Sequence, residues 1–114
     1  MTQDASIPES AETVWPEDAE LLRASAKVPQ HVVYRNFPTE TVVLNLQTGR
    51  YHGLNATAGN VLREIERSPS LADAARALAK LYEQPGEVLE RDVCELCRSL
   101  LMRGLIEVDG ERVG

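Results

Sequence analysis

The chain reads as an α+β domain, a three-stranded antiparallel sheet followed by three helices in a winged-helix-like arrangement. Three observations predict it. Residues 41–46 alternate Val42, Leu44 and Leu46 with Thr41, Val43 and Asn45, the period-two pattern of a strand with one buried face. Residues 31–37 alternate in the same way, Val32 and Tyr34 against Val33, Arg35 and Phe37. From Asn55 onward the apolar period lengthens to that of a helix, and two proline-containing breaks divide the helical run into three.

The first strand begins near His31 and is ended by Pro38-Thr39. The second, residues 41–46, leads into a tight turn at Thr48-Gly49, with glycine taking the positive φ that a two-residue hairpin needs. That register sets Leu46 opposite Tyr51 and Leu44 opposite Gly53 on the apolar face, and it leaves residues 50–54 as a short third strand at the sheet's edge. Asn55 or Thr57 caps the first helix, about residues 55–67, which spaces Ala58, Val61, Leu62 and Ile65 along one face until Ser68-Pro69 stops it. Ser70 caps the second, with Leu71, Ala74, Ala75, Leu78 and Leu81 as its stripe, before Gln84-Pro85-Gly86. The third, about residues 87–103, carries a core stripe of Leu89, Val93, Leu96 and Leu100, and Gly104 with Leu105 fits a left-handed C-cap. Its apolar arc spreads sideways to Cys94, Cys97 and Leu101, with Arg98 at the margin, while Asp92, Glu95 and Ser99 form the flank read as solvated.

Composition narrows the function. The chain has 114 residues, enough for one domain with a modest core. Eighteen acidic against twelve basic residues give a net charge of −6, which argues against a partner held through phosphates and so against nucleic acid. The excess sits in residues 1–30, where six acidic residues face only Arg23 and Lys27, a net of −4. With Pro8, Pro16 and Pro29 and little periodicity, that segment reads as an acidic, mostly disordered tail. A short helix is possible over 17–26, and Trp15, Leu21 and Leu22 are candidates for docking on the domain or a partner. The domain then spans 31–108, with 109–114 as a C-terminal tail. No secretory signal and no run of 18 apolar residues is present, so a cytoplasmic chain with no membrane partner is expected.

No constellation of catalytic type emerges. Cys94 and Cys97 stand three apart in mid-helix, away from the N-terminus that would lower a thiol's pKa. Two thiols with His31 and His52 do not make a four-ligand zinc site. They read as packing residues, and no metal or other cofactor is implied. His52 and Tyr51 have neither a carboxylate nor a nucleophile beside them in any motif, and Gly49, Gly53 and Gly59 do not form a phosphate loop. The chain is not expected to be an enzyme. The edge strand is the feature that suggests function, because unpaired N–H and C=O groups are a template for an added strand.

The residues from Val42 onward also resemble a known family. The block LNLQTGRYHGLNATAGNVL (44–62), the helix SLADAARALAKLYE (70–83) and the segment LERDVCELCRSLLMRGLIEV (89–108) are similar, in order and spacing, to the PqqD-like proteins. These are the RiPP recognition elements, non-catalytic chaperones that bind the leader segment of a ribosomally synthesised precursor peptide. The resemblance implies strand addition of the leader against the third strand, in a groove completed by the third helix. Carried onto this sequence, Arg50, Tyr51, His52, Gly53 and Leu54 would pair with the guest, and Cys94, Cys97, Arg98 and Leu101 would floor or rim its pocket. It implies as partners the precursor peptide and a peptide-modifying enzyme, such as a radical SAM enzyme or a leader protease, in natural-product biosynthesis. The family does not require the cysteine pair. Residues 47–54 and the long tail look less like the quinone-pathway members and more like a standalone recognition protein for another peptide class. The alternatives are a structural adaptor that forms a homodimer through the same edge, and a winged-helix nucleic-acid binder, which the mixed charge of the third helix disfavours.

Overall fold

A computed structural model of the chain describes residues 17–109. In chain order the elements are α1 (Asp18–Leu22), β1 (Ser25–Lys27), β2 (Val32–Asn36), β3 (Glu40–Asn45), β4 (Arg50–Asn55), α2 (Ala56–Arg67), α3 (Leu71–Tyr82), α4 (Gly86–Met102) and β5 (Glu107–Asp109). The expected α+β architecture is present: β2, β3 and β4 form an antiparallel sheet in that order, and three helices follow it.

Local chemistry accounts for the helix boundaries. The Asn55 side chain caps α2 by accepting from the Ala58 N–H at 2.7 Å, and Ser70 caps α3 by accepting from the Asp73 N–H at 3.1 Å. At the end of α4, Gly104 lies at φ +72, the Leu105 N–H donates to the Leu100 carbonyl and the Gly104 N–H to the Leu101 carbonyl, the paired bonds of a glycine C-cap. The helices enclose one core: Val61, Leu62 and Ile65 of α2, Leu71, Ala74, Ala75 and Leu78 of α3, and Leu89, Val93, Cys94, Cys97 and Leu100 of α4 are all buried. Leu81, placed by periodicity on the α3 stripe, is 67% exposed, because the helix ends one residue later and Tyr82 packs there instead.

Three expectations are corrected. The hairpin loop has four residues, not two. The Asn45 side-chain carbonyl accepts from the N–H groups of Gln47 (2.9 Å) and Thr48 (3.2 Å), and the Asn45 backbone carbonyl accepts from Gly49, which sits at φ +75. The register therefore slips by two, setting Leu44 opposite Tyr51 and Val42 opposite Gly53, with Leu46 in the loop and exposed.

The buried face of β3 is also the opposite one. Thr41, Val43 and Asn45 face the helices, while Val42 and Leu44 are only half-buried on the outer side. Two polar residues can lie inward because each is satisfied, Thr41 by donating its hydroxyl to Asn36 and Asn45 by holding the loop. Gly59 of α2 makes the close approach possible: a Cβ there would sit 2.7 Å from the Thr41 Cβ and 3.1 Å from Asn36 Oδ1.

The third correction concerns the boundary expected near residue 31. Among the described residues the fold already takes in α1, whose Leu21 is fully buried against the helices, and β1 pairs antiparallel with β5, Ala26 opposite Val108. The Leu71 N–H donates to the Ala24 carbonyl at 2.8 Å, which ties this segment to the start of α3. Leu21 and Leu22 thus dock on the domain itself, while Trp15 lies outside the described residues.

Candidate functional site

The open edge of β4 can be read from the hydrogen-bond phase of the sheet. The Leu46 N–H donates to the His31 carbonyl and the Phe37 N–H to the Glu40 carbonyl, so the even-numbered residues of β3 turn their backbone groups toward β2. Strict alternation then directs Thr41, Val43 and Asn45 toward β4, where they meet Leu54, His52 and Arg50. The groups left over on β4 are the N–H and C=O of Tyr51 and Gly53, which point away from the sheet, the Asn55 carbonyl being turned into α2 by its N-cap position. Such an edge, one residue in two, is what an incoming strand needs.

Side chains on β4 divide between two faces. His52 and Leu54 turn inward, half-buried and buried; Tyr51 and Gly53 turn outward, with Tyr51 72% exposed in a row with Leu44 and Val33. Gly53 has open space beyond its backbone, the nearest atom to an added Cβ being Glu40 Oε1 at 3.9 Å.

A groove of about 680 Å³ opens where β4 passes into α2. Asn55, Thr57, Ala58 and Val61 form one wall, Val88, Leu89, Asp92, Glu95 and Leu96 of α4 the other, and Tyr82 and Gln84 close the end. Tyr82 is held by the Asn60 side-chain amide, which donates to its hydroxyl at 3.0 Å. The groove has the size and apolar floor of a site for several side chains, with its polar groups at the margin.

Of the residues expected at the site, Arg50, Tyr51, His52, Gly53 and Leu54 lie along β4, but only Tyr51 and Gly53 turn their backbone groups to the open edge, those of Arg50, His52 and Leu54 being directed at β3. The four expected on α4 lie round the helix from the groove. Cys94 and Cys97 are 1% and 0% exposed, within the core. Arg98 pairs with Asp18 of α1 at 2.6 Å, Cys94 donates its S–H to the Asp18 carbonyl, and Leu101 packs against the core. The apolar arc that spreads past the α4 stripe is there because α1 covers it. Beside Val88 and Leu89, the groove-lining residues of α4 are instead Leu96, taken as core, and Asp92 and Glu95, taken as solvated; no sequence signal separates those roles, because it takes the placement of α2 to turn that flank into a wall.

Burial keeps both cysteines protonated. It is the main cause that pushes the Cys94 and Cys97 thiols up to about 12, reinforced at Cys94 by the Asp18 carboxylate and at Cys97 by Cys94. Native protein at pH 8 is therefore expected to leave both thiols unmodified by a thiol-reactive disulfide reagent, and both should react once urea unfolds the chain. The same shift sets a pH dependence. The unfolded thiols ionise near 9 and the folded ones near 12, so their contribution is complete below about pH 9 and is lost as pH rises toward 12. Urea midpoints measured from pH 7 to 11 check it, with a Cys94→Ala/Cys97→Ala variant as reference.

Among the described residues no group of three or more His, Cys, Asp or Glu could hold a metal ion, and no helix is long and apolar enough to cross a membrane. What this arrangement offers is main-chain pairing along an edge and a groove beside it.

Comparison with known proteins bears on the same elements. A family model, Coenzyme PQQ synthesis protein D (PqqD), matches residues 40–106, from β3 to the end of the link that follows α4. Two solved structures share the fold. One is described as "TbiB1 in Complex with the TbiA(beta) Leader Peptide", with 28% identity, a TM-score of 0.66, and coverage of 75% of this chain and 99% of that one. The other, "Lasso peptide synthetase B1 complexed with the leader peptide", has 26% identity, a TM-score of 0.65, and coverage of 73% and 98%. No curated protein matches the chain. The family match takes in β3, β4 and all three of the helices that build the edge and the groove, and the chain belongs to the PqqD family.

Proposed function

We propose that this protein is a RiPP recognition element that binds the leader segment of a ribosomally synthesised precursor peptide and presents it to a modifying enzyme. The leader adds as a strand along β4, bonding to the outward N–H and C=O groups of Tyr51 and Gly53. Side chains on its inner face enter the groove between α2 and α4. Binding is by backbone pairing and apolar burial, with no covalent step in this chain. The observation that carries the reading is an open edge strand running into an apolar groove, in a fold whose solved relatives are leader-peptide complexes. Each apolar leader side chain that buries about 100 Å² contributes roughly 2.5 kcal/mol before ordering costs, enough for one or two anchors to dominate.

Titration of ¹⁵N-labelled protein with synthetic leader segments of candidate precursor peptides tests this. Shifts should concentrate at residues 50–55 and on the groove walls at Ala58, Val61, Leu96 and Val88. Absence of shifts at high peptide excess would remove the leader reading. Pairing of β4 with a second copy is the rival use of the same edge, and light scattering that shows a dimer which peptide does not dissociate would favour it.

A further inference from the structure

We propose that the bound peptide carries a lysine or arginine two residues from its apolar anchor, and that Asp92 and Glu95 of α4 select it. This rests on the leader-binding reading above and adds the chemical class of the guest. The groove floor between Val61 and Leu96 is apolar, and Asp92 and Glu95 both line it, yet no Lys or Arg does. Asp92 and Glu95 are exposed, and among the described residues neither takes part in an ion pair. Two like charges three residues apart on a helix repel each other weakly, and a cation between them removes that cost. Their separation along the axis is about 4.5 Å, within reach of one ammonium or guanidinium group. A low-dielectric wall on one side concentrates their field into the groove.

Strand geometry supplies the spacing. In an added strand alternate side chains point to the same face, so the residue that follows the anchor into the groove is the one two positions along. The guest pattern is then an apolar residue, any residue, and Lys or Arg, in either chain direction. Charge argues against the protein's own N-terminal segment as occupant: residues 1–16 contain Asp4, Glu9 and Glu12 and neither Lys nor Arg.

The test is selection of random dodecapeptides displayed on phage, against the full chain and against the double variant Asp92→Asn/Glu95→Gln, whose thermal unfolding is checked to match. The full chain should enrich peptides with a basic residue two positions from an apolar one, and the variant should enrich the apolar residue alone. A selected peptide should bind the variant roughly three- to tenfold more weakly, and changing its basic residue to norleucine should produce the same loss on the full chain but little further loss on the variant. Apolar enrichment without a basic residue on the full chain would overturn the charge assignment and leave leader binding standing. A peptide pool that binds away from residues 50–55 and the groove, or no enrichment at all, would overturn both.

Discussion

Replacing Gly59 by alanine is expected to lower the stability of this domain by about 2–3 kcal/mol, despite alanine's better helix propensity, because overpacking at a rigid contact outweighs that gain. The added methyl would stand 2.7 Å from the Cβ of Thr41, a β-branched side chain that is 1% exposed and whose hydroxyl is committed to Asn36. The Thr41 Cβ is fixed to its own backbone and cannot swing aside, so relief requires α2 to move off the sheet. That movement would disturb Asn55, Ala58 and Val61, which form one wall of the groove. In a small domain such a loss is a large share of the whole stability. Urea denaturation followed by circular dichroism measures it. Gly86→Ala is the matched control: it meets nothing within 4 Å and has no left-handed φ, so a gain of about 0.4–1 kcal/mol is expected. Equal midpoints for Gly59→Ala and the unaltered chain would mean that α2 does not pack this closely.

The second large effect is on binding. Gly53→Pro should weaken the leader complex by about tenfold or more while leaving the domain folded. Proline at this position removes an N–H that points outward, so the β3–β4 ladder keeps the bonds made through His52 and Leu54, while the ring projects into the lane of the incoming strand. Gly53→Ala separates the backbone effect from the side chain. Its methyl group meets only Glu40 Oε1 at 3.9 Å, so both stability and affinity should stay within about threefold of the unaltered chain. Calorimetric titration of the three proteins with one leader peptide provides the comparison. Unchanged affinity in Gly53→Pro would place the guest somewhere other than on this edge.

The fold was legible in the sequence wherever a local signal was unambiguous. Asn55 and Ser70 cap the helices, proline and glycine interrupt them, and Gly104 closes α4, each through short-range chemistry that does not depend on the rest of the chain. The inward face of β3 was not legible by the same means. Val42, Leu44 and Leu46 are more apolar than Thr41, Val43 and Asn45, and only the partners Asn36 and the 46–49 loop show why the second set is inside. The apolar outer row of Val33, Leu44 and Tyr51 makes both faces attractive, so alternation alone could not choose. The docking of the segment before residue 31 was obscured for a related reason: acidic, proline-containing composition masks contacts that anchor it, among them Leu21 in the core and Asp18 on Arg98.

The candidate site divides along the same line. Its β4 half follows from strand order, which is readable, while the ladder phase that singles out Tyr51 and Gly53 depends on the β2–β3 and β3–β4 registers. Its α4 half depends on which flank of the helix is covered, and that is decided by α1, an element of five residues with little periodicity. With α1 lying on Cys94 and Arg98, the open flank is the one that carries Leu96, Asp92 and Glu95.

Strand addition along β4 is the central claim, and hydrogen exchange of the leader complex, read amide by amide, tests it most directly. Arg50, His52 and Leu54 lie opposite ladder partners on β3 and should change little. The amides of Tyr51 and Gly53 should exchange freely in the unliganded protein and become protected when the leader binds, in step with the affinity measured by titration. A leader that binds tightly and leaves the exchange of Tyr51 and Gly53 unchanged would contradict the account.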